Sequence, residues 1–120
     1  MKAEIITSGT ELLLGEITDV NTPYIAVQLA TLGIDLYYTS TVGDNYERFS
    51  NVLRHAWERS DLVIITGGLG PTQGDITRNV IAGMLGETLT IDPELKKDIM
   101  EFFAGRAMPE YRGTDISMKL

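Results

Sequence analysis

Cysteine is absent from this sequence, and histidine occurs once, at position 55. No disulfide can staple the chain, and no thiolate can ligate a metal or attack a substrate. A single histidine likewise excludes a histidine-rich metal centre. Cationic residues are scarce: ten Lys and Arg stand against seventeen Asp and Glu, a net charge of -7. They are scattered, so no basic face forms that could neutralise a row of phosphates, and nucleic acid is not an expected partner. Long apolar runs are missing too, and Met1-Lys2 opens directly onto a strand-like pattern. With neither a membrane-spanning run nor a signal-peptide layout, no membrane partner is expected, and the cytoplasm is the expected compartment.

What remains is an ordinary globular mixture, 43% apolar and 22% charged over 120 residues, which suits one domain spanning 1–120. Residues 3–7 read as a buried strand. Asn21-Thr22-Pro23 reads as a helix start, a polar cap followed by proline where a missing N–H does no harm. Ile25, Ala26, Leu29 and Leu32 form the apolar stripe of that helix, and Gly33 supplies its stop. A second strand follows over Ile34, Leu36 and Tyr38. Asp44 and Glu47 are spaced as a capping box before a helix with Phe49, Val52, Leu53, Ala56 and Trp57 inward. Residues 61–66 are nearly all apolar, which predicts a third strand in a central parallel position. A helix over 76–85 ends at Gly86, residues 89–91 suit a short strand, and Asp92-Pro93 caps a last helix that stops at Gly105. No element is expected from Met108 onward, and the domain reads as cut short at its carboxyl end.

Strand and helix alternate three times, which predicts an α/β fold: a three-layer α/β/α sandwich with a mostly parallel sheet. Right-handed crossovers then put the loops that leave the strands along one edge, where such sheets bind ligands. Those loops cover residues 8–15, 41–45 and 66–75.

The third loop is the richest in chemistry: Gly67-Gly68-Leu69-Gly70-Pro71-Thr72-Gln73-Gly74-Asp75-Ile76-Thr77. Glycines allow sharp turns and close approach of backbone to a ligand, and a helix start just beyond offers N–H groups to an anion. The run therefore reads as a phosphate or pyrophosphate cradle. It is not a P-loop, since no Gly-Lys-Ser/Thr is present, nor a dinucleotide fingerprint, which belongs on the first strand. Backbone N–H groups of Gly67, Gly68, Leu69 and Gly70 and the hydroxyl of Thr72 are the expected phosphate donors. Thr77 suits either that role or the first turn of the helix.

Asp75 beside a phosphate would repel it unless it holds a divalent cation or a sugar hydroxyl, or merely caps the helix. Asp44 suits a metal ligand or general base at the same sheet edge, or a helix cap paired with Glu47. Asp75 and Asp44 are thus the candidate catalytic and metal-binding residues. Ser8, Gly9, Thr10, Glu11 and Asn21 are the candidate ligand contacts of the first loop, with Glu11 equally readable as a solvated carboxylate.

Thr66-Gly67-Gly68-Leu69-Gly70-Pro71-Thr72 lies in order with Ser8-Gly9-Thr10-Glu11-Leu12-Leu13-Leu14-Gly15, Val42-Gly43-Asp44 and Arg59-Ser60-Asp61-Leu62-Val63. Together these motifs closely resemble the N-terminal domain of the CinA (competence/damage-inducible protein A) family. That domain belongs to the molybdopterin-binding superfamily, with the molybdopterin adenylyltransferases and the gephyrin G domain. The resemblance spans nearly the whole chain. It implies a homo-oligomer, a mixed sheet, and hydrolysis of ADP-ribose to AMP and ribose 5-phosphate with a divalent metal ion (Mg, Co or Mn). The alternatives it leaves are molybdopterin binding with adenylyl transfer, and a non-catalytic nucleotide-binding regulatory domain. A nucleotide or a pterin is therefore the expected small-molecule ligand. Two positions depart from the family pattern: Gly74 stands where relatives place a first Asp of an Asp-Asp pair, and Asp19-Val20-Asn21 replaces Asn-Thr-Asn. The family's later Gly-Thr-Ala-Pro-Gly and Leu-Pro-Gly-Val-Pro segments do not occur.

Overall fold

A computed structural model of the chain describes residues 1–104 and the backbone of residues 118–119. Strand β1 (Lys2–Ser8) leads through a single helical turn, α1 (Thr10–Leu13), to helix α2 (Asn21–Thr31) and strand β2 (Asp35–Val42). Helix α3 (Tyr46–Arg59), strand β3 (Leu62–Thr66) and helix α4 (Thr77–Leu85) follow. A two-residue strand β4 (Thr90–Ile91), helix α5 (Pro93–Ala104) and strand β5 (Met118–Lys119) complete the described elements.

The sheet order is β2-β1-β3, and both pairings are parallel. The expected three layers form because β1 is apolar on both faces. Ala3 and Ile5 pack with Leu29 of α2 on one face, while Ile6 packs with Phe49, Leu53 and Val80 of α3 and α4 on the other. Leu62 and Ile64 of β3 join the first cluster, and Val63 and Ile65 the second. Residues 62–65 of β3 form the continuous apolar run expected of a strand covered on both faces.

Several expectations are corrected here. The central strand of the described sheet is β1, with six buried residues in succession, whereas every residue of β3 is only half-buried. Trp57 is 59% exposed and Leu32 72% exposed, so neither packs inward as its helical spacing suggested. The start of α2 is not capped by Asn21: the Asp19 carboxylate accepts from the backbone N–H of Asn21 and of Thr22. Helix α3 is capped by Asn45, whose side chain accepts from Arg48 N at 2.9 Å, and not by Asp44. Beyond Met108, a strand does exist at 118–119, antiparallel to β4. The expected stop at Gly105 lies outside the described residues. Asp92 caps α5 as expected, accepting from Glu94 N and Leu95 N.

At the amino end of β1 lies a polar knot within the second cluster's face. Glu4 is 1% exposed, yet its carboxylate accepts from both Nε and Nη2 of Arg59 and from Ser60 Oγ. Arg59 in turn lies 3.7 Å over the ring of Tyr38. A buried carboxylate must be fully paired, or its lost hydration goes uncompensated. Glu4→Gln keeps the shape but removes the charge and one acceptor, and is expected to lower stability by about 1–3 kcal/mol in denaturant unfolding. An unchanged unfolding midpoint would show that the knot contributes nothing net.

Candidate functional site

Chain order reverses between β1 and β3: the chain first adds β2 on one side of β1, then returns to add β3 on the other. Loops leaving β1 and β3 therefore meet over the carboxyl edge, the position where open α/β sheets form a crevice. A cavity of about 170 Å³ sits there. Ser8, Gly9 and Glu11 line it from the first loop, Asp44 from the second, and Gly68, Thr72, Gly74 and Asp75 from the third. Ligand pockets for whole small molecules run to roughly 300–1,000 Å³. This one suits a pyrophosphate-sized group with its counter-ion, with the rest of any ligand lying outside. A larger groove of about 430 Å³, between α3 and α4, contains none of the residues named from the sequence.

Glycine is required at two places in the third loop. Gly67 has φ 84°, and a Cβ there would lie 2.2 Å from the backbone oxygen of Ser8. Gly68 has φ 67°, and its Cβ would lie 2.2 Å from Thr77 Oγ1. Both positions demand the left-handed region and the missing side chain.

Ser8 presents a buried hydroxyl to the cavity. It is 4% exposed and lines the cavity, yet its Oγ has no hydrogen-bond partner. A buried hydroxyl left unpaired is costly, and most native ones are satisfied by protein, water or ligand.

The first loop is tied to the second. Gly9 N donates to Val42 O, and Thr10 Oγ1 accepts from Asp44 N at 3.0 Å. Thr10 thus acts as a tether that sets Asp44 at the rim, rather than lining the cavity itself. Freed from the capping role, the Asp44 carboxylate faces Gly74: a Cβ at 74 would come within 2.7 Å of Asp44 Oδ2. The Glu11 carboxylate folds back over Gly9.

Asp75 does not cap α4, whose N-cap is Ile76, a residue without a capping side chain. Its Oδ2 instead accepts from Thr72 N at 2.9 Å and Thr72 Oγ1 at 2.6 Å. The Thr72 hydroxyl, helped by the backbone N–H groups of Thr72 and Gly70 and by the charge of Arg78, holds the Asp75 carboxyl below its ordinary 3.8 against the opposing effect of burial. Asp75 is therefore ionised throughout the neutral range.

Thr77 resolves toward the helical-turn role. It is 1% exposed and its Oγ1 donates to Gly67 O at 2.8 Å, so it braces the loop from behind. Asn21 sits in the exposed first turn of α2 and does not line the cavity. Its neighbour Asp19 does more: Thr22 Oγ1 donates to Asp19 Oδ2, and Thr7 Oγ1 lies 3.4 Å from the same oxygen. The Thr22 hydroxyl bond is the main cause that keeps Asp19 below the usual aspartate range. Asp19 and Arg78 are the structural residues that pattern reasoning missed. Asp19 stands two residues before Asn21, a spacing that suits an Asx turn.

The chain matches, over residues 4–115, the family described as "Probable molybdopterin binding domain". It belongs to that family. Within it, the chain groups with the CinA-type proteins: it is 47% identical over 112 residues to a "CinA-like protein" of Thermomicrobium roseum, covering 92% of this chain and 28% of that protein. The solved structure of CinA from Thermoplasma acidophilum superposes with a TM-score of 0.80 at 34% identity, covering 89% of this chain and 63% of that one. A molybdopterin biosynthesis enzyme, MoaB of Thermus thermophilus, shares the fold at 24% identity and a TM-score of 0.67, covering 90% of this chain and 67% of that one. The chain spans about a quarter of the length of the curated relatives it matches, 27% and 26% for the first two. Among the described residues no helix is long and apolar enough to cross a membrane.

Proposed function

We propose that the cavity at the carboxyl edge binds the pyrophosphate of a nucleotide and hydrolyses ADP-ribose to AMP and ribose 5-phosphate. The buried, unpaired Ser8 hydroxyl carries this reading, because it waits on an acceptor that the protein does not supply. A phosphate oxygen is such an acceptor, and the turned glycine loop beside it can add backbone N–H donors.

The donor set around the cavity consists of carboxylate and hydroxyl oxygens, which fits a hard divalent cation such as Mg²⁺, Co²⁺ or Mn²⁺. Among the described residues no three His, Cys, Asp or Glu side chains gather closely enough to hold an ion by protein ligands alone. The fit is therefore to a cation that keeps water and substrate oxygens, with Asp44 and Asp75 as the protein ligands. When bound, such an ion supplies charge neutralisation and Lewis-acid polarisation of the phosphoryl oxygens.

Ser8 Oγ–H and the loop amides that Asp75 does not engage orient the pyrophosphate. Asp44, held at the rim by Thr10, accepts a proton from the attacking water as its oxygen bonds to phosphorus. The bridging P–O bond breaks, and the proton passes to the departing phosphate. Incubating the chain with ADP-ribose and each of the three metals should release AMP, measured by chromatography. Asp44→Asn is expected to cut the rate by roughly 100-fold or more. No AMP from the unaltered chain with any of the metals would sink the hydrolytic reading.

A second reading, pterin binding with adenylyl transfer, draws on the family match and on the likeness to a molybdopterin biosynthesis enzyme. Competition between molybdopterin and ADP-ribose for the cavity separates the two. Displacement of ADP-ribose only at large molybdopterin excess would favour the nucleotide. A third, non-catalytic reading is kept alive by Gly74, and would be met by ADP-ribose binding without turnover. The homo-oligomer implied by the resemblance and the cytoplasmic location expected from the sequence belong to the same proposal.

A further inference from the structure

Four successive carbonyls of the third loop point at two successive residues of α4. Thr77 takes the first pair: its Oγ1 donates to Gly67 O and its backbone N to Gly68 O at 3.2 Å. Arg78 takes the second pair, with Nη1 donating to Leu69 O at 3.0 Å and Nη2 to Gly70 O at 3.2 Å. In an extended chain consecutive carbonyls point to opposite sides. Bringing both to one guanidinium sets two adjacent peptide planes.

We infer that Arg78 is a positioning residue for the anion site, which rests on the pyrophosphate reading above. In a trans peptide the N–H points opposite to the C=O. With Leu69 O fixed toward α4, the Gly70 N–H faces away from it, and the Asp75 carboxylate lies beside Gly70. With Gly70 O fixed as well, Pro71 (which has no N–H to misdirect) delivers Thr72 to the cavity wall, where Asp75 fastens it. Arg78 thus shapes the half of the loop that Thr77 does not reach. Its charge lies behind a loop whose ligand is anionic, in a protein of net charge -7.

The fork is what lysine cannot reproduce: a compact ammonium keeps the charge but not the planar pair of donors. The test is titration of the 120-residue chain and its Arg78→Met and Arg78→Lys variants with inorganic pyrophosphate and Mg²⁺ by calorimetry. Backbone amide NMR spectra are recorded alongside. Arg78→Met is expected to weaken binding by about tenfold or more, and Arg78→Lys to recover only a small part of it. In both variants the amide signals of Gly68, Leu69, Gly70 and Thr72 should shift even without ligand, while signals from the β1 core stay in place. Full recovery by lysine would overturn positioning in favour of charge alone, and wild-type affinity in Arg78→Met would overturn the proposal outright. A wild-type chain that binds no pyrophosphate fails differently: it removes the site reading itself, and the proposal with it.

Discussion

Gly67→Ala is expected to destabilise the chain by about 2–5 kcal/mol in denaturant unfolding and to remove ligand binding. Two costs combine at this position. The backbone at φ 84° disfavours any side chain, a strain of about 1–2 kcal/mol. The new Cβ would also stand 2.2 Å from Ser8 O, which belongs to the central strand and cannot swing aside like the end of a flexible side chain. Either the loop or the end of β1 must shift, and both line the cavity. Gly15 provides the internal control. It has φ 73° but open space around it, so Gly15→Ala carries the strain alone and should cost only about 1–2 kcal/mol. Equal losses at the two positions would show that the contact with Ser8 does not hold the loop.

Gly74→Asp carries the second large effect, and it is a gain. A side chain at 74 starts 2.7 Å from Asp44 Oδ2, close enough that a new carboxylate would share its space with Asp44. The obstructing atom is a carboxylate oxygen on a rotatable side chain, so a small turn relieves the contact. Without a cation, two carboxylates there repel, and thermal stability should fall in metal-free buffer. With Mg²⁺ or Mn²⁺ the sign reverses, because affinity for hard cations rises with the number of charged oxygen ligands. Calorimetric titration with either metal should show binding tightened on the order of tenfold, and Gly74→Asn, which adds no charge, should not. If Gly74→Asp binds the cation no better than the unaltered chain, Asp44 is not a metal ligand.

The strand–helix order was readable because β1, β3 and the helices carry long, regular apolar patterns that only one packing satisfies. Ile5 and Ile6, adjacent in sequence and buried in opposite clusters, already say that helices cover both faces. The gathering of Ser8, Gly68, Thr72 and Asp75 at one sheet edge followed from topology alone. Roles assigned by short-range chemistry fared less well. Asp44 and Asn45 are both good caps, one residue apart, and only the backbone path into α3 chooses between them. Asn21 and Asp19 present the same ambiguity at the start of α2. In the described sheet β3 lies at one edge; an apolar run reports burial, while the half-burial of its residues depends on neighbours that sequence does not name. Arg78 escaped notice for a plainer reason: an arginine in the first turn of a helix reads as a solvated charge. Its partners are carbonyls eight and nine positions earlier, outside every local rule.

Glu4 and Ser8 lie on the same strand, four residues apart, which places them roughly 13 Å from one another along β1. One end of that strand is buttressed by an ion pair remote from the cavity, and the other carries the hydroxyl that lines it. At such a separation the two ends share no partner, so a change at one leaves the energetics of the other nearly untouched. A lineage can drift in robustness through residues 4, 59 and 60 while its ligand chemistry stays fixed. It can equally retune residues 8, 44 and 74 on a scaffold whose thermal tolerance is set elsewhere.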